Sequence, residues 1–339
     1  MRLKKERDRA SVSFPASTFR ILYILFFMNT ESIITVAVTG ASGLLGRPLM
    51  SLLESDSRFR VRGAAWSRAG GSLDRVDITA PAAVDAWLDD VKPDVLVHLA
   101  AERRPDVYAK DPEAADRLNI DATGALAMSC AAREVNMLFL STNYLFDGTS
   151  SPYIPEDEAN PLNAYGLGKL AAEQAVSAAS DKHRMLRIPL IHGPSDSLEE
   201  SSVTVLCKAF LDTEDPVVMD VWQTRYPTFT PDVAAAITEL LPGLADGTLP
   251  GPALHFSADE PFSKRDIGEI MVSILGMDPA RAVTDNRPPR GAPRPKEVQL
   301  ACPKMDAMGL LKITPFREAI RITLETIRDA GGFENSGTE

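Results

Sequence analysis

Tyr165 and Lys169 stand four residues apart in Ala164-Tyr-Gly-Leu-Gly-Lys169, and on a helix that spacing puts a phenol and an ammonium on one face. A phenol titrates at about pH 10 and is a poor acid or base at neutral pH, but an adjacent ammonium favours the phenolate. A nearby hydroxyl can polarise a carbonyl, and Ser141-Thr142 supplies one at the end of an apolar run. Thr142, Tyr165 and Lys169 are therefore the candidate catalytic residues. Tyr and Lys also fall at this spacing by accident on many amphipathic helices, so the trio gains meaning only beside a second site.

That second site is Thr39-Gly-Ala-Ser-Gly-Leu-Leu-Gly46, preceded by the apolar Ile33, Ile34, Val36 and Val38 and followed by a helix-like stretch from Leu45 to Glu54. Strand, glycine turn and helix together present backbone N–H groups and a helix N-terminus to a pyrophosphate. Gly40 suits a turn of positive φ, Gly43 a close approach to phosphate, and Gly46 tight helix–strand contact. The candidate cofactor-binding residues here are Thr39, Gly40, Ser42, Gly43, Leu44, Leu45 and Gly46. The second strand ends in Gly63-Ala-Ala-Trp-Ser-Arg68, without the carboxylate that would take a ribose 2′-hydroxyl. Ser67 and Arg68 suit a 2′-phosphate instead, so the expected cofactor is NADP, with NAD less favoured; the plainer reading of Arg68 is a solvated surface residue. Asp77 and Ile78 fall where an adenine could be read, and Leu99-Ala100-Ala101 is small enough to let a cofactor cross the fourth strand. Arg103, Asn119, Pro189 and Ile191 complete the set, with Tyr165 and Lys169 at its far end.

The elements that must position these groups alternate. Strand-like runs at 34–38, 59–66, 94–99, 137–140 and 184–188 are separated by helical stretches at 45–54, 81–91, 112–135 and 164–179. Strands apolar on both faces and separated by helices imply an α/β fold, a Rossmann-type doubly wound parallel sheet, with ligands beyond the carboxyl ends of its strands. After Pro189 the texture changes to a smaller mixed α/β lobe. The expected division is an extension over 1–32, a dinucleotide-binding domain over 33–190 with a returning segment near 230–250, a substrate or partner lobe over 191–229 and 251–325, and a flexible tail over 326–339. Within the lobe, Thr230 is the expected cap of a helix starting at Pro231, Ser263 caps another, and 281–296 reads as loop.

The net charge of −11 argues against a nucleic-acid partner, which needs a basic face. Three widely spaced cysteines, Cys130, Cys207 and Cys302, read as buried thiols of a reducing, cytoplasmic compartment. The four histidines share no metal-ligand spacing, so no metal site is expected. Residues 1–27 carry six basic side chains against two acidic ones, and the apolar run 21–28 is too short to span a bilayer, so a non-native extension with Met28 as the start is the favoured reading. Trp66, Trp87 and Trp222 read as packing residues. Arg225, Arg290 and Arg294 lie in loops that should close over the crevice, free to bind an anion or to pair with Glu199 or Glu200.

The glycine turn, Ser141-Thr142 and Tyr165…Lys169 together resemble the extended short-chain dehydrogenase/reductases. Thr142-Asn-Tyr-Leu-Phe-Asp-Gly148 and Pro161-Leu-Asn-Ala-Tyr-Gly166 are similar to the dTDP-4-dehydrorhamnose reductase branch. Within it, Ala100-Ala-Glu-Arg-Arg-Pro-Asp-Val107, Leu118-Asn-Ile-Asp-Ala-Thr-Gly124, Leu198-Glu-Glu-Ser201, Gln223-Thr-Arg-Tyr-Pro-Thr228 and Gly291-Ala-Pro-Arg-Pro295 resemble the regulatory beta subunits of methionine adenosyltransferase. That resemblance implies an NADP-binding protein with the catalytic subunit as its partner, tuning S-adenosylmethionine synthesis without turnover of its own. The reductase branch implies instead an NADPH-dependent enzyme acting on a small molecule or 4-keto nucleotide sugar, with Thr142, Tyr165 and Lys169 at the catalytic positions. Two departures stand out: Asn143 replaces the aspartate usual in this branch, and Phe333–Glu339 lacks the apolar, aromatic character of a beta-subunit tail.

Overall fold

The computed structural model describes residues 32–288 and 291–333. The expectations for the N-terminal extension with Met28, for Arg290 and for the part of the tail after residue 333 lie outside the described residues, whereas 326–329, expected as the start of a flexible tail, close the helix Phe316–Asp329 because Ile327 is buried in its apolar cluster. Among those described, β1 (Ile34–Thr39), β2 (Phe59–Ala65), β3 (Asp74–Arg75), β4 (Val95–His98), β5 (Asn136–Thr142) and β6 (Arg184–Ile188) lie in one sheet. Two short parallel ribbons pair β7 (Ile191–His192) with β9 (Thr228–Phe229) and β8 (Val217–Asp220) with β11 (Ala282–Asp285). With β10 (Ala253–His255) the main sheet has seven strands, ordered β10-β6-β5-β4-β1-β2-β3, and every pairing in it is parallel. The chain winds from β1 out to β3, then restarts at β4 on the other side of β1. Connections leave the sheet in opposite directions there, which opens a crevice beyond the carboxyl ends of β1 and β4.

Helices α1 (Gly46–Ser55), α2 (Pro81–Val91), α3 (Ala122–Ala132) and α4 (Ala164–Ala179) follow successive strands. They are joined by α5 (Val205–Leu211), α6 (Thr230–Ala245), α7 (Lys264–Ile274) and α8 (Phe316–Asp329). A parallel sheet needs cover on both faces. The alternation of side chains along β4 shows how it is achieved: Val95 and Val97 pack with Leu49, Leu53, Ile237 and Leu241 of α1 and α6. Leu96 packs on the opposite face with Trp87, Leu126 and Val176 of α2, α3 and α4. A separate cluster joins Cys207, Ile267, Met271, Phe316, Ile320, Leu324 and Ile327 of α5, α7 and α8, where α8 buries one side at the 3–4-residue spacing of an amphipathic helix.

The alternating pattern predicts this architecture, and several local expectations differ. The long helix over 112–135 is broken into Pro112–Asp116, a wide π-type turn at Arg117–Asp121, and α3. The stretch 281–296, read as loop, carries β11, which is held by pairing with β8 rather than by its own pattern. Thr230 is not a cap: Phe229 takes that place, and the buried Thr230 Oγ1 has no hydrogen-bond partner. Ser263 does cap α7, in a reciprocal box with Asp266. The three cysteines are buried and free. No helix among the described residues is long and apolar enough to cross a membrane.

Candidate functional site

The crevice is an elongated cavity of about 1090 Å³ that runs from the glycine turn and the end of β2, past the ends of β4 and β5, to the loops after β8 and β11. Gly40, at φ +70, makes the turn out of β1, and a Cβ there would lie 2.7 Å from the backbone nitrogen of Ala100. At Gly46 a Cβ would collide with the carbonyl oxygens of Gly40 and Ala41, so α1 can start this close to the turn only without a side chain. No side chain caps α1, which starts at the cavity beside Gly43, Leu44 and Leu45; its Arg47 N–H donates to the Gly43 carbonyl at 3.0 Å and Pro48 carries no N–H. A glycine turn packed directly on its own backbone at Gly40 and Gly46, leading to a helix start without a side-chain cap at the cavity, fits a dinucleotide pyrophosphate.

Most of the sequence-predicted residues reach this cavity. Gly40, Ser42, Gly43, Leu44, Leu45 and Gly46 line one end, with Ser67, Arg68, Asp77 and Ile78 beside them. Leu99, Ala100, Ala101, Arg103, Thr142, Tyr165, Lys169, Pro189 and Ile191 line the rest. Thr39 and Asn119 stand behind the wall. The Thr39 hydroxyl bonds the His98 ring at 2.6 Å, and the Asn119 side chain clamps the Glu102 backbone through N–H and C=O bonds of 2.9 and 2.8 Å. Thr39 therefore ties the ends of β1 and β4 together, and Asn119 holds the chain that leaves β4. Asp77 accepts from the Thr79 N–H and hydroxyl at 2.9 and 2.6 Å, which fixes the turn after β3. Trp66 departs from its expected packing role: it is 55% exposed on the cavity wall, with the Arg75 guanidinium 4.8 Å from its ring centre.

Three arginines converge at the outer end. Arg47, in the first turn of α1, and Arg68 both donate to Glu200 Oε2, at 2.9 and 3.1 Å, while Arg103 donates to the Glu200 carbonyl at 2.5 Å. Burial pushes the Glu200 carboxyl up, but the hydrogen bond and charge of Arg47 and the bond from Arg68 outweigh it and hold the group below its ordinary range. Glu199 pairs with Lys208 instead, and the arginines expected near these glutamates pair elsewhere: Arg225 with Asp220 at 2.8 Å and Arg294 with Asp106 at 2.7 Å. Sequence reasoning missed Arg47, although its place directly after Gly46 at a helix start was a usable signal.

At the inner end the groups are buried. Asn163 caps α4 by accepting from the Gly166 N–H at 2.9 Å, and the buried Glu173–Arg187 pair (2.7 and 2.9 Å) ties the same helix to β6. Between these anchors, Tyr165 packs edge-on to Tyr108 and Tyr144. Burial pushes its phenol up to about 12, with a hydrogen bond to Thr142 opposing the rise. Burial also pushes the Lys169 ammonium down to about 7, opposed by Glu173. Lys169 Nζ donates to the Leu140 carbonyl at 2.6 Å and lies 4.2 Å from the Phe139 ring centre. The expected lowering of the phenol by Lys169 is thus overridden: desolvation dominates both groups, and the ammonium is aimed at a carbonyl. Ser141 Oγ, buried on the cavity wall, has no partner. Asn143 bonds the Val298 carbonyl at 3.1 Å and so joins the end of β5 to the chain after β11.

Comparison with known proteins places the chain in a family. The RmlD substrate binding domain matches residues 34–328. Methionine adenosyltransferase 2 subunit beta of Mus musculus is 37% identical over 292 residues, covering 85% of this chain and 86% of that protein. The dTDP-4-dehydrorhamnose reductase of Mycolicibacterium smegmatis is 31% identical over 290 residues, covering 84% of each. Among solved structures, dTDP-4-dehydrorhamnose reductase from Bacillus anthracis in complex with NADP has a TM-score of 0.74 at 20% identity, covering 88% of this chain and 99% of that one. UDP-glucose 4-epimerase from Thermus thermophilus in complex with NAD has a TM-score of 0.73 at 20% identity, covering 87% and 99%. At that identity both structures speak for the fold.

Proposed function

The chain belongs to the RmlD substrate-binding domain family, and from that premise we propose that it is an NADP-binding regulatory beta subunit of a methionine adenosyltransferase complex. In this role it associates with the catalytic subunit and modulates S-adenosylmethionine synthesis. The observation that carries the reading is its 37% identity to a beta subunit along 292 residues, against 31% to a reductase. Sedimentation of the purified chain mixed with a methionine adenosyltransferase catalytic subunit tests it. A faster-sedimenting complex at micromolar concentrations is expected, and two independent boundaries would refute it.

In the proposed cofactor site the Gly40–Gly46 turn and the N-terminus of α1 hold the pyrophosphate, and Arg47, Ser67 and Arg68 take the 2′-phosphate. Ala100 and Ala101 leave room for the chain of the cofactor to pass. When bound and reduced, a nicotinamide supplies hydride. Tyr165 keeps its proton at the phenolic oxygen throughout the neutral range, Thr142 orients that oxygen, and Lys169 exchanges its proton near neutrality.

A second reading is an NADPH-dependent reductase of a 4-keto nucleotide sugar. It is favoured by the shared placement of Thr142, Tyr165 and Lys169 on one cavity wall. Loss of NADPH absorbance with such a sugar, abolished in Tyr165→Phe, is the supporting result. No turnover across a panel of keto sugars counts against it.

A further inference from the structure

Arg47, Arg68 and Arg103 leave three different strand ends, after β1, β2 and β4, yet all turn to one residue of the segment that follows β7. Two of the guanidinium groups share a single oxygen of Glu200, Oε2, at 2.9 and 3.1 Å. The other oxygen, Oε1, accepts only from the Asp196 backbone N–H at 3.3 Å. Arg103 reaches the backbone carbonyl, not the carboxylate. Arg47 Nη2 is buried without a partner. One carboxylate therefore serves two guanidinium groups, and although Arg47 Nη1 also donates to the Ser42 carbonyl at 3.0 Å, its Nη2 stays unused, whereas a phosphate offers more charge and three oxygens in the geometry that guanidinium forks match.

We propose that Glu200 is a specificity-setting residue: an internal anion that holds Arg47 and Arg68 and yields them to the 2′-phosphate of a bound dinucleotide. The inference rests on the dinucleotide reading above. A 2′-hydroxyl carries no charge with which to displace the carboxylate, so Glu200 weighs on 2′-phosphorylated ligands selectively.

Calorimetric titration of the full chain with 2′,5′-ADP and with 5′-AMP tests this without any turnover. Glu200→Gln, close to isosteric, is expected to tighten 2′,5′-ADP about fivefold or more, the factor that two partly exposed ion pairs are worth. Its affinity for 5′-AMP stays within about twofold. Glu200→Asp, which keeps the charge but withdraws it, gives a smaller change in the same direction. Glu199→Gln, whose partner is Lys208, changes neither ligand. Weaker 2′,5′-ADP binding in Glu200→Gln, or an equal shift for both ligands, overturns the proposal. A wild-type chain that binds neither ligand overturns the dinucleotide reading itself, and the inference with it.

Discussion

At the outer end of the cavity, Arg68 is about half exposed and shares a carboxylate with Arg47, while at the inner end Thr142, Tyr165 and Lys169 are all buried. At the outer end Arg68 stays near water, where one anion can be exchanged for another at modest cost. The inner groups have lost water, so the phenol rises to about 12 and the ammonium falls to about 7, and packing and the Glu173–Arg187 tie fix their positions. One end is suited to sensing which anion is present; at the other, burial keeps the proton on the Tyr165 phenol and brings the Lys169 ammonium down towards neutrality. A chain that keeps both can serve as a cofactor-dependent regulator, and its buried trio does not by itself imply turnover.

Substitutions should separate the two ends, and the largest effect belongs to the wall they share. Gly46→Ala places a Cβ against backbone carbonyls that cannot move aside, so stability should fall by about 2–3 kcal/mol and dinucleotide binding should be lost. Urea unfolding and calorimetry measure the two outcomes, and a variant with wild-type values in both would remove the glycine turn from the account. Next comes Arg68→Ala, expected to weaken NADP about tenfold, or about 1.4 kcal/mol, and to leave NAD nearly unchanged. Equal losses for both cofactors would mean that Arg68 acts on something other than the 2′-phosphate.

The inner end should show itself through pH. The folded-state Lys169 titrates at about 7 against 10.5 for the free side chain, so between these values the unfolded chain binds more protons and stability rises with pH. The buried cysteines and Tyr165 act oppositely, but only above their own ordinary values of 9 and 10, which leaves pH 7.5 to 9 as the clearest window. In that window the wild-type stability should climb more steeply than that of Lys169→Met, by up to about 1.4 kcal/mol per pH unit. Parallel pH profiles would show that Lys169 is not desolvated. The smallest effect is expected at Ser141→Ala: its hydroxyl is buried without a partner, so the denaturant midpoint should hold or rise slightly, within about 1 kcal/mol.

What the sequence shows of this molecule is its local grammar. The apolar runs and Ala-rich spacers predict the parallel sheet, and Pro81–Val91, Ala164–Ala179 and Arg184–Ile188 begin and end where their patterns do. Gly40–Gly46 is legible because only glycine tolerates that turn and that contact. The break at Arg117–Asp121 is hidden because its cause is tertiary: Asn119 turns inward to clamp Glu102. The convergence of Arg47, Arg68 and Glu200 is hidden for the same reason, since the partners lie 153 and 132 residues apart in sequence. Desolvation is equally invisible: the spacing of Tyr165 and Lys169 predicts that the ammonium lowers the phenol, and burial raises it instead.

The most direct test of the regulatory reading is the initial rate of S-adenosylmethionine formation by a methionine adenosyltransferase catalytic subunit, titrated with this chain in the presence of NADP. The account predicts a saturable change in that rate at micromolar chain concentrations, retained when Tyr165→Phe replaces the wild type. A rate that stays constant across the titration would contradict it.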